Sequence, residues 1–129
     1  MKRIMAAGTV ALALATTALV APATPASADS YNGCAWPRVC FYQTQSQWLA
    51  QTPNAAYKDV TSHFQNLSAA ARGSDYVLNT RNNDIAWINA YNELDGLTYL
   101  YCIPPNGAWI FSAVEEVRQI RIDDAANCY

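Results

Sequence analysis

The fold is decided by residues 85–103, which read IAWINAYNELDGLTYLYCI. In residues 85–91 the side chains alternate, with Ala86, Ile88 and Ala90 on one side and Ile85, Trp87, Asn89 and Tyr91 on the other, and this period of two indicates a strand. The following Asp95-Gly96 is typical of a tight hairpin turn. Residues 97–103 alternate again, so the stretch predicts two strands joined by a short turn.

Short apolar runs separated by turn residues continue on both sides of this hairpin. Turn-rich segments at 81–84 and 104–107 help to divide the chain at intervals of about ten residues. Such spacing indicates a mainly β domain, a sandwich or barrel of short strands. The remaining predicted strands cover residues 39–43, 76–80, 108–112 and 117–122.

Residues 60–72 do not follow the strand pattern. Four apolar side chains recur at helical spacing, an acidic residue precedes them and a glycine follows. The segment is therefore predicted to form either a short helix or a compact loop. The four apolar residues are Val60, Phe64, Leu67 and Ala71.

The chain has four cysteines, at positions 34, 40, 102 and 128. An even number in a small exported chain indicates two disulfides. A zinc site is the alternative, but the chain has no C-x-x-C motif and only one histidine. Of the three possible pairings we favour the local one, Cys34–Cys40 with Cys102–Cys128. In the chain-entropy model these loops stabilise the fold by about 2 and about 3.5 kcal/mol.

The N-terminus has the layout of a secretory signal peptide. Lys2 and Arg3 precede an uncharged, Ala-rich run, and Ala26-Ser27-Ala28 matches an A-x-A processing site. The apolar run is shorter than a membrane span requires. We therefore predict that residues 1–28 are removed, leaving residues 29–129 as one secreted domain with no membrane association.

The charge balance argues against nucleic acid as a partner. The chain has 8 basic and 10 acidic residues, and cleavage after residue 28 would remove two basic ones and leave a net charge of −4. A domain with that balance and no basic run has little attraction for phosphate backbones. The sequence leaves the oligomeric state open.

Residues suited to catalysis are sparse. The single histidine, His63, cannot supply an H-E-x-x-H zinc motif, and no G-x-S-x-G elbow is present for a serine nucleophile. A glycosidase needs only two carboxylates, but the candidate pairs lie in or beside predicted turns and edges, where acids are usually solvated. We expect no enzymatic activity and no cofactor. The candidate pairs are Glu93/Asp95, Glu115/Glu116 and Asp123/Asp124.

Four tryptophans and eight tyrosines exceed what a small core needs. Trp36 lies inside the predicted first disulfide loop, where a core position is hard to arrange. Aromatic and arginine side chains often anchor interfaces, so Trp36 and Arg38 are our candidate binding residues. Trp87 and Trp109 lie inside strands and are predicted to be core residues, whereas the role of Trp48 stays open.

Residues 34–42 read CAWPRVCFY, a C-x5-C motif followed directly by an aromatic pair. Placed just inside an Ala-rich signal of the actinomycete kind, this motif resembles the secreted metallopeptidase inhibitors with a βγ-crystallin-like fold. The later order is similar to that architecture, with strands at 76–80 and 85–91 and a closing V-x-x-I-x-I at 117–122. The motif covers nine residues, and the strand order extends the resemblance over most of residues 29–129.

The resemblance implies two stacked four-stranded Greek-key motifs and inhibition of an extracellular metallopeptidase. Inhibitors of this kind carry a second close pair of cysteines around the segment that meets the protease. Here Cys102 and Cys128 are far apart, so no short reactive loop is predicted between them. The function we expect is a secreted, non-enzymatic domain that binds and inhibits an extracellular peptidase. A carbohydrate- or wall-binding module and a structural βγ-crystallin-like protein are the alternatives.

The same fold implies a calcium site made of two acidic or amide residues, two spacers and a Ser/Thr-Ser pair, since hard cations need clustered oxygens. Residues 70–75, 82–87 and 115–120 each keep only part of this pattern. Turn chemistry explains the Asn-rich segment equally well. We therefore predict no specific metal site.

Overall fold

The computed structural model describes residues 29–129, so the predicted signal peptide, residues 1–28, lies outside the described residues. Within the described part the chain forms eight strands and one short helix, and no helix there is long and apolar enough to cross a membrane. The elements are β1 (Val39–Tyr42), α1 (Gln45–Leu49), β2 (Ala55–Tyr57), β3 (Gln65–Asn66), β4 (Tyr76–Asn79), β5 (Ile85–Asn92), β6 (Thr98–Ile103), β7 (Ala108–Ile110) and β8 (Glu115–Asp123).

The eight strands form two antiparallel four-stranded sheets, ordered β2-β1-β4-β7 and β3-β8-β5-β6. Each half of the chain, β1–β4 and β5–β8, places its first strand between its second and fourth strands. Its third strand joins the edge of the opposite sheet. The two halves are Greek-key motifs that exchange one strand each, so the predicted βγ-crystallin-like sandwich is confirmed.

The inner faces of the two sheets enclose the main core. On β5, Ala86, Ile88 and Ala90 are fully buried, as the alternation in residues 85–91 requires once one face is covered. On β8, Ile120 and Ile122 fill the same core. Burial of each branched side chain stabilises the fold by about 1.5–3 kcal/mol.

The prediction that Trp87 and Trp109 are core residues is wrong. Because Ala86 and Ile88 face inward, Trp87 faces outward, where its Nε1–H donates to Asp123 at 3.0 Å. Trp109 lies on β7, which is an edge strand within residues 29–129, so its ring packs on Tyr101 but stays 41% exposed.

A smaller apolar cluster covers the outer face of the first sheet, where Cys34, Cys40, Tyr42 and Leu78 are buried. The helix α1 brings Trp48 onto this cluster, and its ring stacks on Tyr76 at 5.3 Å. Trp48, whose role the sequence left open, is therefore a packing residue.

The helix α1 was not predicted, although its N-terminus has a sequence signature. Thr44 accepts a hydrogen bond from the Gln47 N–H, and the Gln47 side chain accepts one from the Thr44 N–H. This reciprocal pair is a capping box. Periodicity could not reveal the helix because five residues are too few to show a 3.6-residue repeat.

Residues 60–72 form no helix, so of the two predicted alternatives the compact loop is correct. The segment pairs with β8 instead, through the short strand β3 and a backbone hydrogen bond from Thr61 to Ile122 of 3.2 Å. Leu67 and Ala71 reach the main core, whereas Phe64 lies under the Arg121 guanidinium at 4.9 Å. The free edge of β8 outweighs a modest helical preference.

Both favoured disulfides are present, Cys34–Cys40 and Cys102–Cys128, with Cα–Cα distances of 5.8 and 5.9 Å. Together they use all four cysteines of the chain. The two loops they close differ in their supporting contacts, and the first contains the predicted binding residues.

Candidate functional site

A tight turn leads into the first disulfide loop. Tyr31 and Cys34 exchange two backbone hydrogen bonds of 3.1 and 2.8 Å, and Asn32 and Gly33 between them have φ angles of 49° and 77°. This is the two-residue turn that Asn-Gly favours. A Cβ on Gly33 would lie 1.9 Å from a neighbouring carbonyl oxygen, so no other residue fits.

Tyr42 fixes this turn to the first sheet. Its hydroxyl donates to the Asn32 carbonyl oxygen at 2.7 Å. Burial raises the pKa of Tyr42 to about 12. The hydroxyl therefore remains a donor at any pH at which the domain would work.

The loop itself is closed by the Cys34–Cys40 disulfide, whose two residues are buried. Inside it the Arg38 N–H donates to the Ala35 carbonyl at 3.1 Å, and the Trp36–Pro37 peptide bond is cis. Disulfide and turn together confine the backbone of the loop on both sides of Trp36.

Thr80 supports the loop from behind. It is fully buried, and its N–H donates to the Arg38 carbonyl at 2.9 Å. Its hydroxyl donates to the same oxygen at 2.8 Å and accepts the Arg38 N–H at 3.1 Å. One threonine thus holds both backbone polar groups of Arg38.

Arg81 supports the centre of the loop. Its Nη1 donates to the carbonyls of Pro37 and Lys58, both at 2.8 Å, and its Nε donates to Asp84 at 2.6 Å. The guanidinium is mostly buried between these groups. The Asp84 carboxylate therefore orients the Arg81 guanidinium, which joins the loop to the end of β2.

The two predicted binding residues are both accessible, but they face different surroundings. Trp36 is 51% exposed, and its backbone N–H donates to Ser30 at 2.9 Å. Arg38 is exposed, and within residues 29–129 its side chain forms no ion pair. The loop separates two grooves, and the structure does not bring Trp36 and Arg38 into one of them.

The groove beside Trp36 is an open depression of about 300 Å³ between the loop and the turn from β4 to β5. Its rim carries the exposed amides of Asn82 and Asn83 and the exposed carboxylate of Asp124. Sequence reasoning assigned the asparagines to a turn and did not connect them with Trp36. No local signal could connect Asp124 with that ring, because the end of β8 brings it there.

The groove beside Arg38 is formed by the end of β2 and the start of β3. Tyr57, Lys58, Asp59 and Gln65 line it with Arg38. Both signs of charge are present, so this groove has no strong preference for a charged ligand.

Four of the six candidate acids are engaged in local contacts. Asp95 accepts the Tyr99 hydroxyl at 2.5 Å, and Glu115 accepts the hydroxyls of Tyr101 and Ser112. Other acids pair with arginines: Glu116 with Arg72 and Arg118, and Asp123 with Arg121.

These contacts change the pKa in the direction opposite to that of a general acid. The Tyr99 hydrogen bond lowers the pKa of Asp95, and the Arg72 hydrogen bond lowers that of Glu116. Burial raises the pKa of Glu115, but hydrogen bonds from Tyr101 and Ser112 outweigh it and the net shift is downward. A glycosidase acid requires a raised pKa.

Other catalytic groupings are not assembled in the described part of the chain. His63 is exposed, and among residues 29–129 no three His, Cys, Asp or Glu side chains are close enough to hold a metal ion. The supported loop around Trp36 is an accessible feature whose backbone is held in a defined shape.

Comparison with protein-family models, with curated proteins and with solved structures finds no match for this chain. Its function must be inferred from the chemistry of the loop and from the sequence resemblance.

Proposed function

We propose that the chain is a secreted, non-enzymatic binding protein that inhibits an extracellular peptidase through its Cys34–Cys40 loop. The observation that carries the proposal is an exposed tryptophan on a loop whose backbone is held by a disulfide, Thr80 and Arg81. A metallopeptidase is the target class because residues 34–42 resemble that inhibitor family.

Rigidity of the loop supports tight binding. Association costs about 0.5–1.5 kcal/mol for each flexible side chain that it orders, with further cost for ordering a loop. Here the carbonyl oxygens of Ala35, Pro37 and Arg38 are already hydrogen-bonded within the domain. The loop backbone is therefore already ordered in the free domain, and binding a partner would cost it little further conformational entropy.

The same contacts protect the loop from cleavage. A peptidase must polarise the carbonyl oxygen of the bond it cuts, with hydrogen-bond donors or a metal ion. The Arg38 oxygen accepts two hydrogen bonds from Thr80, and the next residue, Val39, is fully buried. Inhibition would thus come from obstruction of the active-site cleft rather than from slow cleavage.

Trp36 is the expected anchor. Tryptophan and arginine dominate the residues whose truncation costs an interface most. An indole that is half exposed on a fixed loop offers a large contact area with little loss of freedom on binding. Arg38, on the other side of Pro37, is expected to contact the rim of the partner.

The test is titration of secreted metallo- and serine peptidases with the purified, disulfide-bonded chain. We expect inhibition of a metallopeptidase at stoichiometric concentration and an intact Cys34–Cys40 loop after long incubation. Absence of inhibition across the panel at micromolar excess would refute the proposal, as would cleavage within residues 35–39.

A matched pair of variants locates the contact. Trp36→Ala should weaken inhibition by at least about 30-fold, the cost of truncating a dominant interface residue. Trp109→Ala removes a tryptophan of similar exposure on the edge strand β7 and should leave inhibition unchanged. Equal losses of inhibition in the two variants would show that the loop is not the site that contacts the peptidase.

The groove beside Trp36 favours a second candidate function, binding of a neutral glycan. Sugar rings stack on exposed indoles, and amide and carboxylate groups such as Asn82, Asn83 and Asp124 hydrogen-bond hydroxyls. Retention on insoluble peptidoglycan or chitin tests this function. The double variant Asn82→Ala/Asn83→Ala should abolish retention on glycan while leaving peptidase inhibition intact, so the two functions are separable.

A further inference from the structure

The four edges of the two sheets are not protected equally. β2, β3 and β7 are edge strands of three, two and three residues, whereas the edge strand β6 has six. Proteins usually shorten exposed edges, or place charges, proline or bulges on them, to prevent pairing with other chains. The β6 sequence, TYLYCI, has no charge and no proline, and its pairing with β5 has no bulge.

The free side of β6 presents a defined set of backbone groups. The Asn92 N–H donates to Leu97, which lies directly opposite in the register of β5 and β6. Hydrogen-bonded and non-hydrogen-bonded pairs alternate along an antiparallel ladder. The N–H and C=O groups of Thr98, Leu100 and Cys102 therefore point away from β5, toward solvent.

These three residues are arranged symmetrically about Leu100. Suppose that a second β6 strand aligns antiparallel so that the Leu100 residues of the two copies lie opposite each other. Thr98 of each copy then lies opposite Cys102 of the other copy. Every outward N–H then meets an outward C=O, which gives six backbone hydrogen bonds. A two-fold interface requires such self-complementarity.

Side chains around this edge are apolar and extensive. Leu97, Tyr99, Leu100 and Trp109 are each between 40% and 57% exposed. At about 200 Å² for a large side chain, this is roughly 400 Å² of apolar surface on each copy. A pair that covers all of it would bury roughly 800 Å², the size of a weak, transient interface.

Charge is compatible with this arrangement. The nearest acids in sequence, Glu93 and Asp95, precede β6. In an antiparallel pair the turn that carries them lies near the C-terminal end of the second β6, where residues 104–107 carry no charge. Like charges at the start of the strand are thus kept at opposite ends of the paired strands.

We propose that the chain forms a two-fold homodimer in which the β6 edges pair antiparallel about Leu100, joining the two second sheets into one eight-stranded sheet. This interface is separate from the Cys34–Cys40 loop and does not depend on its function. An interface of this size gives a weak dimer whose population rises with concentration.

Sedimentation of the purified chain with both disulfides formed, from about 1 μM to about 1 mM, tests the proposal over the affinity range of small interfaces. We expect a reversible monomer–dimer equilibrium. Leu100→Lys places two positively charged side chains opposite each other across the axis, on Cα atoms about 5.5 Å apart, and should weaken the dimer at least tenfold. Leu94→Lys changes a more exposed leucine in the turn before β6 and should leave it unchanged.

The register has its own test. Opposite residues of a hydrogen-bonded pair have Cα atoms about 5.5 Å apart, within the range that a disulfide spans. The thiol introduced by Leu100→Cys should therefore form a covalent dimer on oxidation, whereas that introduced by Leu97→Cys should not. A chain that stays monomeric at the highest concentration, or a dimer that Leu100→Lys leaves intact with its thermal stability unchanged, would overturn the proposal.

Discussion

The two disulfides have the same covalent chemistry but different surroundings. Cys34 and Cys40 are each 1% exposed and pack with Tyr42 and Leu78. The second bond joins the half-buried Cys102 to the exposed Cys128. Among residues 29–129, the backbone of the tail from 124 to 129 makes a single backbone hydrogen bond, from Ala125 to Asp123. The first bond is part of a packed cluster, whereas the second ties a C-terminal tail to the sheet.

We expect loop length alone to rank the stabilising effects of these two bonds in the wrong order. The chain-entropy model gives the longer Cys102–Cys128 loop the larger stabilisation, because cross-linking restricts the unfolded chain more. That model assumes that the native state is equally ordered with and without the bond. The tail is held by few other contacts, so it would fray without the bond and recover part of the entropy. We expect the short, buried loop to matter more.

The largest effect is expected from Cys34→Ala/Cys40→Ala. Loss of the disulfide adds to the loss of packing in the cluster around Tyr42, so the free energy of unfolding should fall by about 3–5 kcal/mol. Denaturant unfolding measures the change. The loop around Trp36 should also become sensitive to peptidases. A loss smaller than that of the Cys102→Ala/Cys128→Ala variant would reverse the comparison.

A single buried hydroxyl gives the next effect. Thr80→Val keeps the size of the side chain but removes the group that bonds both backbone atoms of Arg38. The N–H and C=O groups of Arg38 then each lose one hydrogen bond, which should lower the free energy of unfolding by about 1–3 kcal/mol. Faster hydrogen exchange at the Arg38 amide would show that the loop has loosened. Thr98→Val, on the exposed edge β6, is the matched control and should change little.

The smallest effect is expected from Cys102→Ala/Cys128→Ala. Because the tail can fray independently, the free energy of unfolding should fall by only about 1 kcal/mol, below the roughly 3.5 kcal/mol of the chain-entropy model. The edge-to-face contact between Tyr129 and Trp87 should be lost at the same time, which tryptophan fluorescence can follow. If the free energy of unfolding instead fell by the roughly 3.5 kcal/mol of the chain-entropy model, the tail would have to stay ordered without its disulfide.

Much of the fold could be predicted from local patterns. The strict alternation in residues 85–91 and the Asp95-Gly96 turn correctly predicted β5 and the turn that leads to β6. The strand at 39–43 and the pairing of the cysteines were also predicted correctly. The strands β2 and β3 were missed because two or three residues are too few to show alternation, and they exist because β1 and β8 need partners.

The candidate site could be predicted only in part. The C-x5-C motif indicated a loop that exposes Trp36, and the ring is exposed. The supports of the loop, Thr80 and Arg81, could not be identified, since they follow β4 and are far from the loop in sequence. The separation of Trp36 from Arg38 into two grooves was also not predictable from adjacent positions.

The sequence by itself determined the period of the strands and the short loop that a disulfide closes, because both depend on residues that are close along the chain. Only the tertiary structure decided that residues 60–72 lie against β8, that Trp87 faces outward, that Trp109 lies at an open sheet edge and that β6 is an uncovered edge among residues 29–129. These features depend on which strand edges are covered by distant segments. The packing of the two Greek-key motifs against each other determines which strand edges are covered.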